Sequence, residues 1–102
     1  LQYGSSPGSP RAGMVVVKLH LFGCRSLKEK RSRMRRTVKD IHDLNFSAAE
    51  VGQQDVCERA TLACALVGSD WVEVERRLGR IPTMLYRSDL VQVMDSWIER
   101  LI

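Results

Sequence analysis

The side chains able to do chemistry fall into two groups along this sequence. The larger is basic: Arg25, Lys28, Lys30, Arg31, Arg33, Arg35, Arg36 and Lys39 lie within fifteen residues, with Glu29 as the one acid among them. The run carries a local charge of +7 on a chain whose net charge is +4, which leaves −3 for everything else. Such asymmetry suits an anionic partner, because lysine and arginine that neutralise phosphates release condensed counterions, the sequence-independent part of nucleic-acid affinity. Like charges at i,i+4 on a helix also repel by about 0.2 to 0.5 kcal/mol per pair, a cost that a phosphate backbone relieves. All eight bases are candidate nucleic-acid-binding residues.

The second group is Glu50, Gln53, Gln54, Asp55, Glu58 and Arg59. Paired carboxylates beside an arginine are the material of general acid–base catalysis. No nucleophile, neighbouring histidine or glycine-rich phosphate loop accompanies them, so turn and salt-bridge roles are the better reading. The expectation is a protein that is not an enzyme and has no catalytic residues. The three cysteines, Cys24, Cys57 and Cys64, form no C-x-x-C, and only His20 and His42 are present beside them. Neither a disulfide framework nor a zinc site is indicated, and no metal or cofactor is expected. Cys24 precedes a helix start, where the dipole, Arg25 and Lys28 would lower a thiol pKa; packing is the commoner use of a free cysteine and is adopted here.

The elements that must position these groups follow from periodicity. From Met14 to Phe22, Val15, Val17, Leu19 and Leu21 alternate with Val16, Lys18, His20 and Phe22, which predicts a half-buried strand ended by Gly23. Ser26-Leu27-Lys28-Glu29 has the S-x-x-E form of a capping box and starts a helix that runs to about Leu44. On it Leu27, Met34, Val38 and Ile41 fall within about 60° of one another and form the expected core stripe. Residues 46–51 read as a second strand and residues 59–67 as a third, with Leu62, Cys64 and Leu66 on one face and Thr61, Ala63 and Ala65 on the other. Asp70 or Ser69 caps a second helix bearing Val74, Leu78, Ile81 and Leu85, and Asp70 with Glu73 makes another box-like pair. Gly79 and Pro82 predict a break near residues 79–81. Residues 90–102 read as a last strand, with Val91, Val93 and Trp97 on one side and Met94 and Ile98 on the other.

The order βαββαβ predicts an α+β fold, a ferredoxin-like sandwich of a four-stranded antiparallel sheet with two helices on one face. Residues 1–13, LQYGSSPGSPRAG, offer little to bury and are expected to be a disordered extension or a cloning remnant, with one domain over residues 14–102. A chain of 102 residues has room for a single core. Its apolar fraction of 44% and charged fraction of 27% are ordinary for a globular protein. With no signal peptide and no long apolar run, a soluble cytoplasmic protein is expected.

Residues 14–70 resemble the YlxP-like family of small bacterial proteins. The resemblance rests on the strand Met14-Val15-Val16-Val17-Lys18-Leu19-His20-Leu21, on Arg25-Ser26-Leu27-Lys28-Glu29-Lys30-Arg31, on Ala49-Glu50-Val51-Gly52-Gln53-Gln54-Asp55, and on Arg59-Ala60-Thr61-Leu62 running into Ala65-Leu66-Val67. It implies a ferredoxin-like fold and a bacterial source. Members are often encoded beside translation and ribosome-maturation genes, which implies RNA or ribosome association without assigning chemistry. Beyond Asp70, Gly79, Pro82 and Trp97 depart from the family pattern.

RNA or the ribosome is therefore the expected partner, bound through the basic helix. A sheet that read RNA sequence would present aromatic platforms on its central strands, where this chain has Thr61, Ala63 and Ala65, so backbone tracking is favoured over base stacking. The alternative is a homodimeric interaction module that recognises an acidic protein, since the same small-residue face suits closure against a second copy.

Overall fold

The computed structural model describes residues 9–102. Its elements run β1 (Arg11–His20), α1 (Leu27–His42), β2 (Ser47–Glu50), β3 (Arg59–Gly68), α2 (Trp71–Leu78), α3 (Arg80–Tyr86) and β4 (Gln92–Arg100). The strands form one sheet in the order β2-β3-β1-β4, antiparallel at every pairing. Val15, Val17 and Leu19 of β1 and Leu62, Cys64 and Leu66 of β3 share a core with Met34, Ile41, Val74, Leu78, Ile81 and Leu85 of the helices. This is the ferredoxin-like α+β arrangement expected from the element order, with the second helix in two segments. Among the described residues, no helix is long and apolar enough to cross a membrane.

The start of α1 is built locally. Ser26 is extended at φ −146°, and its hydroxyl accepts from the Glu29 amide at 3.1 Å. The return arm departs from the S-x-x-E box in one respect: the Glu29 carboxylate accepts not from the Ser26 amide but from the Arg25 amide at 3.1 Å, one residue ahead of the cap. Ser26→Ala should therefore cost about 0.5 to 2 kcal/mol, read from chemical denaturation, while leaving polyanion affinity unchanged wherever the domain is folded. A fully stable alanine variant would remove Ser26 from this structural role. At the other end of α1, Asn45 takes φ 67°, a left-handed conformation that asparagine tolerates, and turns the chain into buried Phe46.

Gly79 is at once the C-cap of α2 and the N-cap of α3, so the break falls within the predicted window. Pro82 then sits in the first turn of α3, where helical amides have no intrahelical partner to lose. Asp70 caps α2, accepting from the Val72 amide at 3.4 Å, and the expected partner Glu73 instead pairs with Arg76. The tight seat of α2 requires glycine beneath it: a Cβ on Gly13 would lie 2.6 Å from Leu78 Cδ1, and one on Gly68 2.7 Å from Val74 Cγ2.

Two expectations are corrected. β1 begins at Arg11, three residues ahead of the expected start at Met14, so Arg11, Ala12 and Gly13 belong to the sheet, paired with Gly68, Val67 and Leu66. The absence of large apolar side chains there hid a strand that β3 and α2 hold in place; residues 1–8 of the same expectation lie outside the described residues. In β4, Leu19 pairs with Val93 but Lys18 pairs with Asp95, leaving Met94 as an extra residue. This bulge reverses the alternation beyond it. Trp97, opposite Val16, consequently lies on the open face with Lys18, whereas Val93 faces the core and Ile98 follows Val15.

Candidate nucleic-acid interface

The basic run folds into α1 and the turn before it, but the eight bases do not act as one set. Lys28, Arg31, Arg35 and Lys39 recur at i, i+3, i+7 and i+11, within about 80° of arc, and form a ridge about 16 Å long on the outer surface. All four are exposed, as are Arg25 and Arg36. Among the described residues no acid pairs with Lys28, Arg31, Arg35 or Arg36, and Lys39 meets Asp43 at 3.2 Å in solvent. An exposed i,i+4 pair of that kind holds little energy and opens readily for a phosphate.

Lys30 does not belong to this surface. It is 2% exposed, with its ammonium 2.6 Å from the Gln53 carbonyl and 2.8 Å from Glu50 Oε2. Glu50 Oε2 is itself buried and, among the described residues, has no partner beyond this ion pair, so the Lys30 charge is what compensates it. Arg33 is also committed: its guanidinium donates to the carbonyls of Phe22 at 2.8 Å and Leu90 at 3.4 Å and pairs with Glu29 at 2.8 Å. It ties α1 to the segment entering β4. Backbone donation from Arg25, then the hydrogen bond from Arg33, holds the Glu29 carboxyl below its usual range.

The reason is a rotation of the buried stripe. Lys30, Met34, Thr37 and Ile41 are the buried residues of α1, whereas Leu27 and Val38 are half-buried at its flank. The Thr37 hydroxyl donates to the Arg33 carbonyl at 2.9 Å, so its burial leaves no orphan.

The polar residues of the β2–β3 connection take the turn and salt-bridge roles expected of them. Gln54 donates to the Glu50 carbonyl at 3.3 Å, Thr61 to Gln53 Oε1 at 3.3 Å, and Glu58 lies 3.9 Å from His20. Gly52 and Gln53 both have positive φ, 66° and 54°, which turns the Gln53 carbonyl to receive Lys30. Two of the sequence segments that carry the family resemblance thus meet through Lys30. Cys24 is buried with its Sγ 3.5 Å from the Ser26 carbonyl, and burial pushes the Cys64 thiol up to about 11.

A second arginine set escaped the sequence reading. Arg76, Arg80 and Arg87 line an open groove of about 630 Å³ with Leu44, Thr83 and Met84. Their spacing of i, i+4 and i+11 was the available signal, diluted by Glu73, Glu75 and Asp89. Arg76 is bound by Glu73, whose carboxyl it holds below its usual range. Arg77 donates to the Leu44 carbonyl at 3.2 Å and lies over the Phe46 ring. On the open sheet face, the aromatic residues among those described are Trp97 on edge strand β4 and Phe22 beyond β1, the latter edge-on to His20 at 5.1 Å.

Comparison with known proteins adds the following. The family model described as Protein of unknown function (DUF503) matches residues 12–98, which carries the match past Asp70 through α2, α3 and most of β4. The Bacillus subtilis (strain 168) protein described as Uncharacterized protein YlxP is 34% identical over 70 residues, covering 68% of this chain and 76% of its own length. Among solved structures, the cofactor-independent oxygenase SnoaB from Streptomyces nogalater superposes with a TM-score of 0.56 over 90% of this chain and 94% of its own, at 15% identity. At that identity the likeness is one of fold.

Proposed function

This chain belongs to the YlxP-like DUF503 family of unknown function, and from that premise we propose that it is a non-enzymatic, RNA- or ribosome-associated protein that holds a phosphate backbone along the outer ridge of α1. The observation that carries the reading is the ridge itself: Lys28, Arg31 and Arg35 stand exposed without an acidic partner among the described residues. Arg25, Arg36 and Lys39 flank or extend it, whereas Lys30 and Arg33 serve the fold. Repulsion along the row is relieved when phosphates replace diffuse counterions. A cytoplasmic location accompanies this reading.

Binding of a labelled structured RNA, followed by anisotropy from about 50 to 200 mM salt, tests it. With about six phosphates neutralised, log K should fall with log salt at a slope near −5, and affinity should drop by about 10³-fold across that range. Absence of binding at ~50 mM salt would end the proposal. Capture from a lysate on immobilised protein, with and without ribonuclease, separates RNA from an acidic protein partner, since only the former is lost on digestion.

A further inference from the structure

We infer that the open face of the sheet is a self-association surface, on which a second copy of this chain docks about a two-fold axis parallel to the strands and midway between β1 and β3. This inference stands apart from the RNA reading, because the sheet face and the α1 ridge lie on opposite sides of the molecule.

The size pattern across the sheet leads to this axis. One cross-strand row reads Ala49, Ala63, Val16, Trp97 from β2 to β4. The next reads Ser47, Ala65, Met14, Glu99. Small residues thus occupy the β2–β3 half and large ones the β1–β4 half. A two-fold axis along the strands reverses each row onto itself, so Trp97 of one copy lies over Ala49 of the other, Val16 over Ala63, and Met14 over Ala65. In the row beyond, Ala12 falls over Val67, the same exchange with the sizes inverted. Trp97 is 39% and Val67 70% exposed, so both have surface to lose. The axis also keeps the two sets of strands nearly aligned, as in ordinary sheet-on-sheet packing.

Charge agrees with this occupant. The face sets Lys18 and Arg59 against Asp95 and Glu99, a balance unlike the basic ridge, so a polyanion is not what it fits. Under the same axis Asp95 of one copy falls diagonal to Arg59 of the other. The competing two-fold, perpendicular to the strands, would set Asp95 over Glu99, stack Trp97 on Trp97 and leave alanine facing alanine. Four strands at ~4.8 Å spacing and about eight residues at ~3.3 Å cover roughly 500 Å² in plan, which side-chain relief raises toward the ~800 Å² per partner of a standard interface.

Sedimentation equilibrium on the whole chain tests the axis as well as the dimer. Wild type is expected to be dimeric at ~10 µM, with Ala49→Trp and Trp97→Ala each raising the dimer Kd by about 30-fold or more and the double variant returning to within about 5-fold of wild type. Both positions are exposed in the single chain, so circular dichroism should show the variants folded. A monomeric wild type at ~100 µM would overturn the inference, and so would single effects that add without rescue.

Discussion

Replacing Lys30 by methionine is expected to destabilise the domain by about 3 to 5 kcal/mol, a large part of the stability of a chain this size. Methionine keeps the aliphatic stem against its neighbours, so the loss comes from the charge. Glu50 Oε2 would remain buried without compensation, and the Gln53 carbonyl would lose its donor at 2.6 Å. Uncompensated burial is what makes half a pair costly; removing both charges for well-packed apolar groups is often neutral. Lys30→Met with Glu50→Met should therefore recover most of the loss, although the Gln53 carbonyl still lacks its ammonium. Urea midpoints at constant m-value give both quantities. A single variant that loses less than about 1 kcal/mol would show that the pair is solvated and that Lys30 is free to join the ridge after all.

That lysine also shows where the sequence stops being legible. In a run of lysines and arginines, residue type does not distinguish the base that faces inward. Apolar periodicity selected Leu27 and Val38, and tertiary packing shifted the stripe to include Lys30 and Thr37, because the segment beneath α1 supplies a carboxylate and a carbonyl there. The β4 bulge was hidden for a similar reason. Val91 and Val93 establish a parity that the extra residue Met94 breaks, and only pairing with Lys18 and Leu19 reveals the break. Features governed by local chemistry were legible: the Ser26 cap, the interruption at Gly79, and the order of strands and helices that dictates the sheet. Arg11 to Gly13 stood between these cases, since the glycine that made the segment look unstructured is the residue that lets Trp71 and Leu78 approach.

Reversing Arg31 and Arg35 to glutamate together should lower RNA affinity by roughly 10²-fold at ~100 mM salt and reduce the slope of log K against log salt by about 2. Neither side chain has an acidic partner among the described residues, and both stand among like charges, so reversal removes repulsion along α1. The melting temperature should hold or rise, which separates lost binding from lost folding. Net charge alone would also weaken RNA binding, and a matched control isolates that effect: Arg80→Glu with Arg87→Glu changes the total by the same amount on the groove of α3. If the ridge is the phosphate track, the control loses less than about 10-fold, because distant charges act only through screened potentials. Equal losses in the two double variants would mean that RNA responds to the whole basic surface, and the ridge would lose its claim to be the binding site.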